Sequence, residues 1–169
     1  NSGGAYNDAI SNVYVQNTVT LTGNGIIGAT AANAAIGAVT LNSGATLLGV
    51  QGGQTSTVFG ALTLNGSGGT TINTTNQFNV LGAFSGTTSS FTKTGTATML
   101  LGGTSTYTGG IIVDQGALEA RIGNNALTTG AITVNPGAVL RVISSSNLAS
   151  ASSVTINSDV NGLGILGLA

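Results

Sequence analysis

"GIIVDQGALEARI", Gly110–Ile122, and "AITVNPGAVLRVI", Ala131–Ile143, are two stretches of the chain built on one plan. Each opens with an apolar–x–apolar triplet, runs into Asp or Asn, passes a turn that contains Gly, and resumes as a second apolar alternation. Alternation with a period of two is typical of a half-buried β-strand, and Asn or Asp with Gly is typical of a tight turn. Each stretch therefore predicts two short strands joined by a sharp corner.

Copies of this plan recur along the chain, at residues 18–28, 38–50, 61–72 and 153–166, and residues 91–123 supply one more with Thr94 at the polar corner. Neighbouring corner residues lie 20 to 23 positions apart, except for Asn65 and Thr94, which are 29 apart. A period near 21 that holds strands and turns, with almost no helical signal, favours a solenoid.

We therefore predict an all-β fold, a single-stranded parallel β-helix of about eight coils with roughly 21 residues each. The chain would form one domain over residues 1–169, and the long interval predicts an irregular loop insertion near residues 74–90. The apolar residues of each triplet would point inward and the intervening threonines outward. The inward set is Val39, Leu41, Leu62, Leu64, Ile111, Val113, Ile132, Val134, Val154 and Ile156, and the outward set is Thr40, Thr63, Thr133 and Thr155.

Polar corner residues would stack from coil to coil. Stacked amides can bond each to the next, as identical side chains do in cross-β structures. We interpret this set as a structural ladder rather than a calcium site, because the chain lacks the nonapeptide repeat of calcium-binding β-rolls. Its members are Asn42, Asn65, Asp114, Asn135 and Asn157.

The composition excludes most chemistry. Charged residues make up 4% of the chain against roughly 25% in an ordinary domain, and the net charge is −1. Because His and Cys are absent, we predict no enzyme activity, no metal site and no cofactor. Three scattered basic residues argue against nucleic acid as a partner. No apolar run approaches the ~20 residues of a membrane helix, so we expect no membrane insertion of this chain.

Residues Phe91–Leu118 resemble the autotransporter-associated β-strand repeat. The elements that carry the resemblance are "FTKTG" at 91–95, "TMLL" at 98–101, "STYTGG" at 105–110 and "IVDQGAL" at 112–118. The resemblance implies a secreted or cell-surface bacterial protein whose passenger region is a right-handed parallel β-helix. It covers about 28 residues, and no membrane barrel follows them in this sequence.

Two residues of this region bear on lateral contacts, and a charged pair just beyond it bears on register. Leu100 and Ile112 stand at outward positions where the resembled family usually has Thr, so we expect them to touch something beside the rod. Glu119 and Arg141 would lie outward on adjacent coils if Leu118 and Leu140 occupy equivalent inward positions. An exposed pair of this kind contributes only ~0–1 kcal/mol, so it marks register rather than a site.

The ends of the rod suggest a function. Solenoids need polar capping repeats, yet the C-terminal "GLGILGLA" is apolar and uncharged. We expect Ile165, Leu166 and Leu168 at this end to contact the strand that holds Val13 and Val15 in a second copy, which gives an extracellular head-to-tail homopolymer. One alternative is a passenger fragment of an adhesin that binds a surface or a glycan. Another is an ice-binding β-helix, although the Thr-x-Thr triplets at 18–20, 96–98 and 106–108 do not continue on every coil.

Overall fold

The fold is given by a computed structural model that describes residues 12–27, 33–49, 55–87, 89–121, 127–148, 150–160 and 162–168. Within these residues all regular structure is β-strand apart from one 3-10 turn at Ser145–Asn147. Strands one coil apart pair in parallel, and the one antiparallel pair among them is a small hairpin near the C-terminal end. The chain is therefore a parallel β-solenoid, which confirms the predicted fold class.

Most of the strands are short because the chain turns at a corner after a few residues. In chain order they are β1 (Asn12–Leu21), β2 (Gly25–Ile27), β3 (Asn33–Asn42), β4 (Thr46–Gly49), β5 (Ser56–Val58), β6 (Leu62–Asn65), β7 (Thr70–Asn73), β8 (Phe78–Val80), β9 (Phe84–Gly86), β10 (Ser90–Thr94), β11 (Thr98–Leu101), β12 (Gly110–Val113), β13 (Ala117–Ala120), β14 (Ala131–Val134), β15 (Val139–Val142), β16 (Ser153–Ile156), β17 (Ser158–Asp159), β18 (Gly162–Leu163) and β19 (Ile165–Leu168).

The coils stack into three walls, which the chain visits in the repeating order B, C, A. Wall A consists of β2, β4, β7, β10, β12, β14 and β16. Wall B consists of residues 12–15 and 33–36, then β5, β8, β11, β13, β15 and β19. Wall C consists of residues 18–21 and 39–42, then β6 and β9, and continues through the non-strand segments 104–107, 127–129 and 145–148. β1 and β3 each run across the B–C corner.

The register on wall A gives the length of each coil. The stacked Cα partners there are Gly25, Leu47, Ile72, Lys93, Val113, Val134 and Ile156. Successive numbers differ by 22, 25, 21, 20, 21 and 22 residues, so the period is close to the predicted value. Six full turns separate β2 from β16, and the predicted count of about eight coils is slightly too high.

The apolar triplets form the core as predicted, with one exception at the end. The inward residues from Val39 to Val134 are all fully buried. Val154 is half-buried and Ile156 is exposed, because they belong to the last coil of wall A. The outward residues Thr40, Thr63 and Thr133 are half-buried and Thr155 is exposed.

The predicted loop insertion near residues 74–90 is wrong. This stretch contains β8 on wall B and β9 on wall C, paired in register with β5 and β6 of the coil below. The long interval arose because Asn65 ends a strand of wall C whereas Thr94 ends a strand of wall A. The two residues mark different corners, so their spacing exceeds one coil without any insertion.

Glycine is needed at the A–B corner because a side chain there would collide with the neighbouring coil. Gly116 has a φ of +65°, and a Cβ there would lie 2.5 Å from the carbonyl oxygen of Gly95 on the coil below. Any side chain would meet backbone that cannot rotate away. The corner is therefore tight both because of its left-handed backbone and because the coils approach closely.

Candidate functional site

The last described coil leaves two strands without an outer neighbour among the described residues. β16 is the terminal strand of wall A, and β19 is the terminal strand of wall B. Ile156, Leu166 and Leu168 hold register positions whose partners one coil below, Val134, Leu140 and Val142, are fully buried. The three side chains are nevertheless 41%, 42% and 76% exposed. This end of the solenoid therefore presents apolar interior positions beside unpaired backbone groups.

The three C-terminal residues singled out from the sequence lie together on β19. Ile165 pairs with Val139 and is exposed, and it flanks Leu166 on the same edge strand. The antiparallel hairpin of β17 and β18 lies at the neighbouring A–B corner, where the Leu163 carbonyl accepts a hydrogen bond from the Gly137 amide at 2.9 Å. Val160 at its turn is fully exposed. This hairpin was not predicted from the sequence.

At the opposite end, β1 and β2 are the terminal strands. Among the described residues β1 pairs with β3 and β2 pairs with β4, each on one side. Val13 and Val15 share register positions with Ala34 and Ile36 on wall B. Both ends of the described solenoid thus have strand edges that run in the same direction, since every strand of a wall is parallel to its neighbours.

The corner ladder exists, but it has fewer members than predicted. The Asn135 amide donates to a carboxylate oxygen of Asp114 at 2.7 Å, and the Asn157 amide donates to the Asn135 side-chain oxygen at 3.1 Å. These three residues follow successive strands of wall A. Asn42 and Asn65 pair with each other at the C–A corner, so the single five-residue ladder is wrong. The same sequence motif occurs at the two corners, so the sequence predicted a single ladder where there are two sets of residues.

Lys93 is a buried cation inside the A–B corner, and its burial was not predicted from the sequence. Its side chain is fully buried, and its ammonium donates to the carbonyl oxygens of Thr94, Gly95 and Gln115 at 3.0, 2.6 and 2.9 Å. Burial lowers the pKa of Lys93 from 10.5 to about 8. The inward direction of Lys93 could have been predicted from strand alternation. Lys93 lies two positions after Phe91, so both side chains must point to the same, inward side.

Residues of the coil below and of the coil above also form hydrogen bonds at this corner. The Thr74 hydroxyl, which is fully buried, lies 3.0 Å from the Ala97 carbonyl oxygen and donates to it. The Gly95 amide donates to the side-chain oxygen of Gln115 at 3.3 Å. Polar contacts at this corner therefore join three successive coils.

Glu119 is paired more closely within its own coil than across coils. It is in register with Arg141, as predicted, and the nearest atoms of the two side chains are 3.9 Å apart. Arg121, two residues along the chain, binds the same carboxylate at 2.5 Å through its Nε. Glu119 itself is buried. The pair is therefore a three-membered cluster on the outside of wall B.

Leu100 is one of the two residues predicted to make lateral contacts, but it is too buried to contact anything beside the rod. It stands at an outward position of wall B between Asn79 and Glu119, but it is only 7% exposed. The expectation that Leu100 presents an apolar surface is wrong, because an outward position in the sequence pattern does not ensure exposure. Ile112 is half-buried on wall A between Thr92 and Thr133.

A threonine rank runs along the outside of wall A. From β4 to β16, one residue at each strand of wall A shares the register position of Ile112, and all the others are threonine. The rank is Thr46, Thr71, Thr92, Ile112, Thr133 and Thr155. A rank with one Thr per coil leaves no Thr-x-Thr pattern within a coil, so it was not predicted from the sequence.

The exposed side of the B–C corner carries two large apolar residues. Phe59 follows β5 and is 53% exposed, and Leu81 follows β8 and is 45% exposed. They occupy equivalent positions on adjacent coils, since the Leu81 amide donates to the Val58 carbonyl. No sequence signal separated them from inward residues, because they lie at a corner where the alternation breaks.

Among the described residues, no group of three or more acidic, His or Cys side chains is placed to hold a metal ion. None of the described helical segments is long and apolar enough to cross a membrane.

Comparisons with protein-family models, with curated proteins and with solved structures find no match for this chain.

Proposed function

We propose that this chain is a non-catalytic structural protein of the bacterial exterior, a β-solenoid unit that assembles head-to-tail into a surface filament or sheath. The observation that carries the proposal is the end coil. Ile156, Leu166 and Leu168 are exposed at positions that the coil beneath buries completely. A further coil laid on β16 and β19 would bury them and pair both edges.

The partner in this proposal is a second copy of the chain. The edge strands at the opposite end, β1 and β2, run parallel to those at the C-terminal end. A junction between copies would therefore repeat the parallel pairing found between coils. Because the two contacting surfaces differ, such a contact does not close on itself and produces a filament.

An extracellular location is supported by the resemblance of Phe91–Leu118 to an autotransporter repeat. It is also supported by the scarcity of cleavage points for trypsin-like proteases. The chain has three basic residues, and one of them, Lys93, is fully buried.

Sedimentation velocity of a paired set of variants tests the assembly. The double variant Ile165→Lys/Leu166→Lys places two charges on β19 and should remain a 16.3 kDa monomer at concentrations where the wild type forms fast-sedimenting species. The matched control is Thr133→Lys, which adds a charge to the outside of an interior strand and should assemble as the wild type does. Assemblies that persist in the double variant would contradict the proposal. Monomeric wild type at every concentration would favour an adhesin fragment instead.

The threonine rank supports ice binding as a second candidate. Residues on one wall repeat at the ~4.8 Å spacing of parallel strands, which gives a regular array of hydroxyl and methyl groups. Freezing-point hysteresis of the wild type should then be measurable, and Thr92→Lys should reduce it because Thr92 lies within the rank. Thr63→Lys on wall C is the control. Absence of hysteresis in the wild type would exclude this candidate.

A further inference from the structure

A row of outward side chains runs along the B–C corner on five successive coils. Each member directly follows the last inward residue of a wall B strand, and its backbone amide donates a hydrogen bond to the carbonyl of the strand one coil below. At the ~4.8 Å spacing of parallel strands, the row is roughly 19 Å long. The members of this corner row are Phe59, Leu81, Gly102, Arg121 and Ile143.

The apolar members of the corner row are exposed although the residues before them are buried. Phe59, Leu81 and Ile143 are 53%, 45% and 40% exposed. The inward residues that precede Phe59 and Leu81, Val58 and Val80, are fully buried. Single exposed apolar residues are common on protein surfaces, but apolar residues aligned on successive coils form a continuous feature that another molecule can contact.

The exposed basic residues of the described chain lie at the same corner. Arg121 belongs to the corner row, and its Nε binds the Glu119 carboxylate. Arg141 lies two positions before Ile143, and its Nη1 is 3.9 Å from the same carboxylate, which is too far for a hydrogen bond. Both guanidinium side chains are at least half exposed, whereas Lys93 is buried. One carboxylate thus faces two cations, which leaves a local charge of +1.

The size and charge of this surface narrow the class of ligand. The corner row is one side chain wide, far less than the roughly 800 Å² that a protein partner covers on each side. Nucleic acids and anionic membranes are bound by clusters of several basic residues, and two arginines that share a carboxylate do not form such a cluster. A polysaccharide fits the row because it is narrow and extended, and because its sugar rings have apolar C–H faces.

The arginines favour a carboxylate as the charged group of that polymer. A guanidinium is planar and presents paired N–H donors that match the two oxygens of a carboxylate. The Arg141 guanidinium makes no hydrogen bond to the described residues, so its donors are free to bind a ligand. Gly167 lies above Arg141 on the next coil, and a Cβ added there would meet only the Arg141 Cγ, at 3.8 Å.

We propose that the B–C corner binds an extended polysaccharide that carries carboxylates. A carboxylate lies on Arg121 and Arg141, and the sugar rings pack along Phe59, Leu81 and Ile143. The site is on the side of the rod, away from the end coil, so it goes beyond the proposed function and does not depend on assembly. In a filament, one such site per copy would act together with the others on a repeating polymer.

Titration calorimetry with polygalacturonate tests this site. The wild type should bind the polymer and should not bind its fully methyl-esterified, uncharged form. Arg141→Gln should weaken binding about tenfold, because it removes charge-assisted hydrogen bonds. Phe59→Ser and Leu81→Ser should each weaken binding several-fold, and their effect should persist at high salt, since apolar contacts are not screened.

The matched control is Leu163→Ser. It removes an exposed leucine from the hairpin at the A–B corner, so it should bind as the wild type does. Melting temperatures should be unchanged in all four variants because their side chains are exposed. Wild type that does not bind polygalacturonate, or that binds its methyl ester equally well, would overturn the proposal. Unchanged affinity in both Phe59→Ser and Leu81→Ser would also overturn it, and each of these results leaves head-to-tail assembly standing.

Discussion

The ammonium of Lys93 lies 2.9 Å from the carbonyl oxygen of Gln115, so that a charge buried inside one coil holds the corner of the next. The same ammonium binds the carbonyls of Thr94 and Gly95. Ion–dipole contacts of this kind offset only part of the cost of removing a charge from water. The lowered pKa of Lys93 expresses this balance, because burial disfavours the charged form.

The stability of the fold should therefore rise with pH above neutrality. The pKa of Lys93 is about 8 in the folded chain against 10.5 in water, so between these values the unfolded chain retains a proton that the folded chain has released. The contribution is fully present above pH 10.5 and is lost as the pH falls through 8. Relative to Lys93→Met, the wild type should gain up to about 3 kcal/mol in free energy of unfolding across this window. Urea denaturation of both proteins at several pH values measures it, and a difference that does not change with pH would contradict the assignment.

Removing the middle of the corner ladder should destabilise the chain. Asn135→Ala removes the side-chain bonds to both Asp114 and Asn157, and we expect a loss of about 1–2 kcal/mol in free energy of unfolding. Asn65→Ala is the matched control, because Asn65 is exposed at the other corner and should cost less than ~0.5 kcal/mol. Equal losses in chemical denaturation would show that the ladder bonds contribute nothing specific.

Two glycine substitutions separate backbone strain from steric conflict. Gly44 and Gly116 both have positive φ, at +77° and +65°, so alanine at either should cost about 1–2 kcal/mol for the left-handed conformation. A Cβ at Gly44 meets open space, whereas a Cβ at Gly116 meets the carbonyl oxygen of Gly95. Gly116→Ala should therefore lower the melting temperature more than Gly44→Ala. Similar melting temperatures for the two variants would mean that the coils can separate at this corner without cost.

The inward apolar positions could be predicted from the sequence because strand alternation fixes them locally. Ile111 and Val113, for example, are separated by one outward residue, and both are fully buried. The repeat length of about 21 residues could be predicted for the same reason, because each coil repeats the pattern of inward and outward residues of the coil below. These features need no knowledge of which wall a strand belongs to.

The assignment of corners to walls could not be predicted in the same way. Asn65 and Asn135 are each followed by a turn that contains Gly, yet they lie at different corners. Turn chemistry is the same wherever a coil bends, so only the pairing of strands distinguishes the corners. The burial of Leu100 was missed because exposure at an outward position depends on neighbouring side chains rather than on alternation.

Negative-stain electron microscopy of the purified chain over a range of concentrations tests head-to-tail assembly most directly. The proposal predicts unbranched filaments one rod in width, with an axial advance of roughly 35 Å for each copy. Their length should increase with concentration, because the contact does not close on itself. Isolated short rods at every concentration would contradict assembly through the end coil.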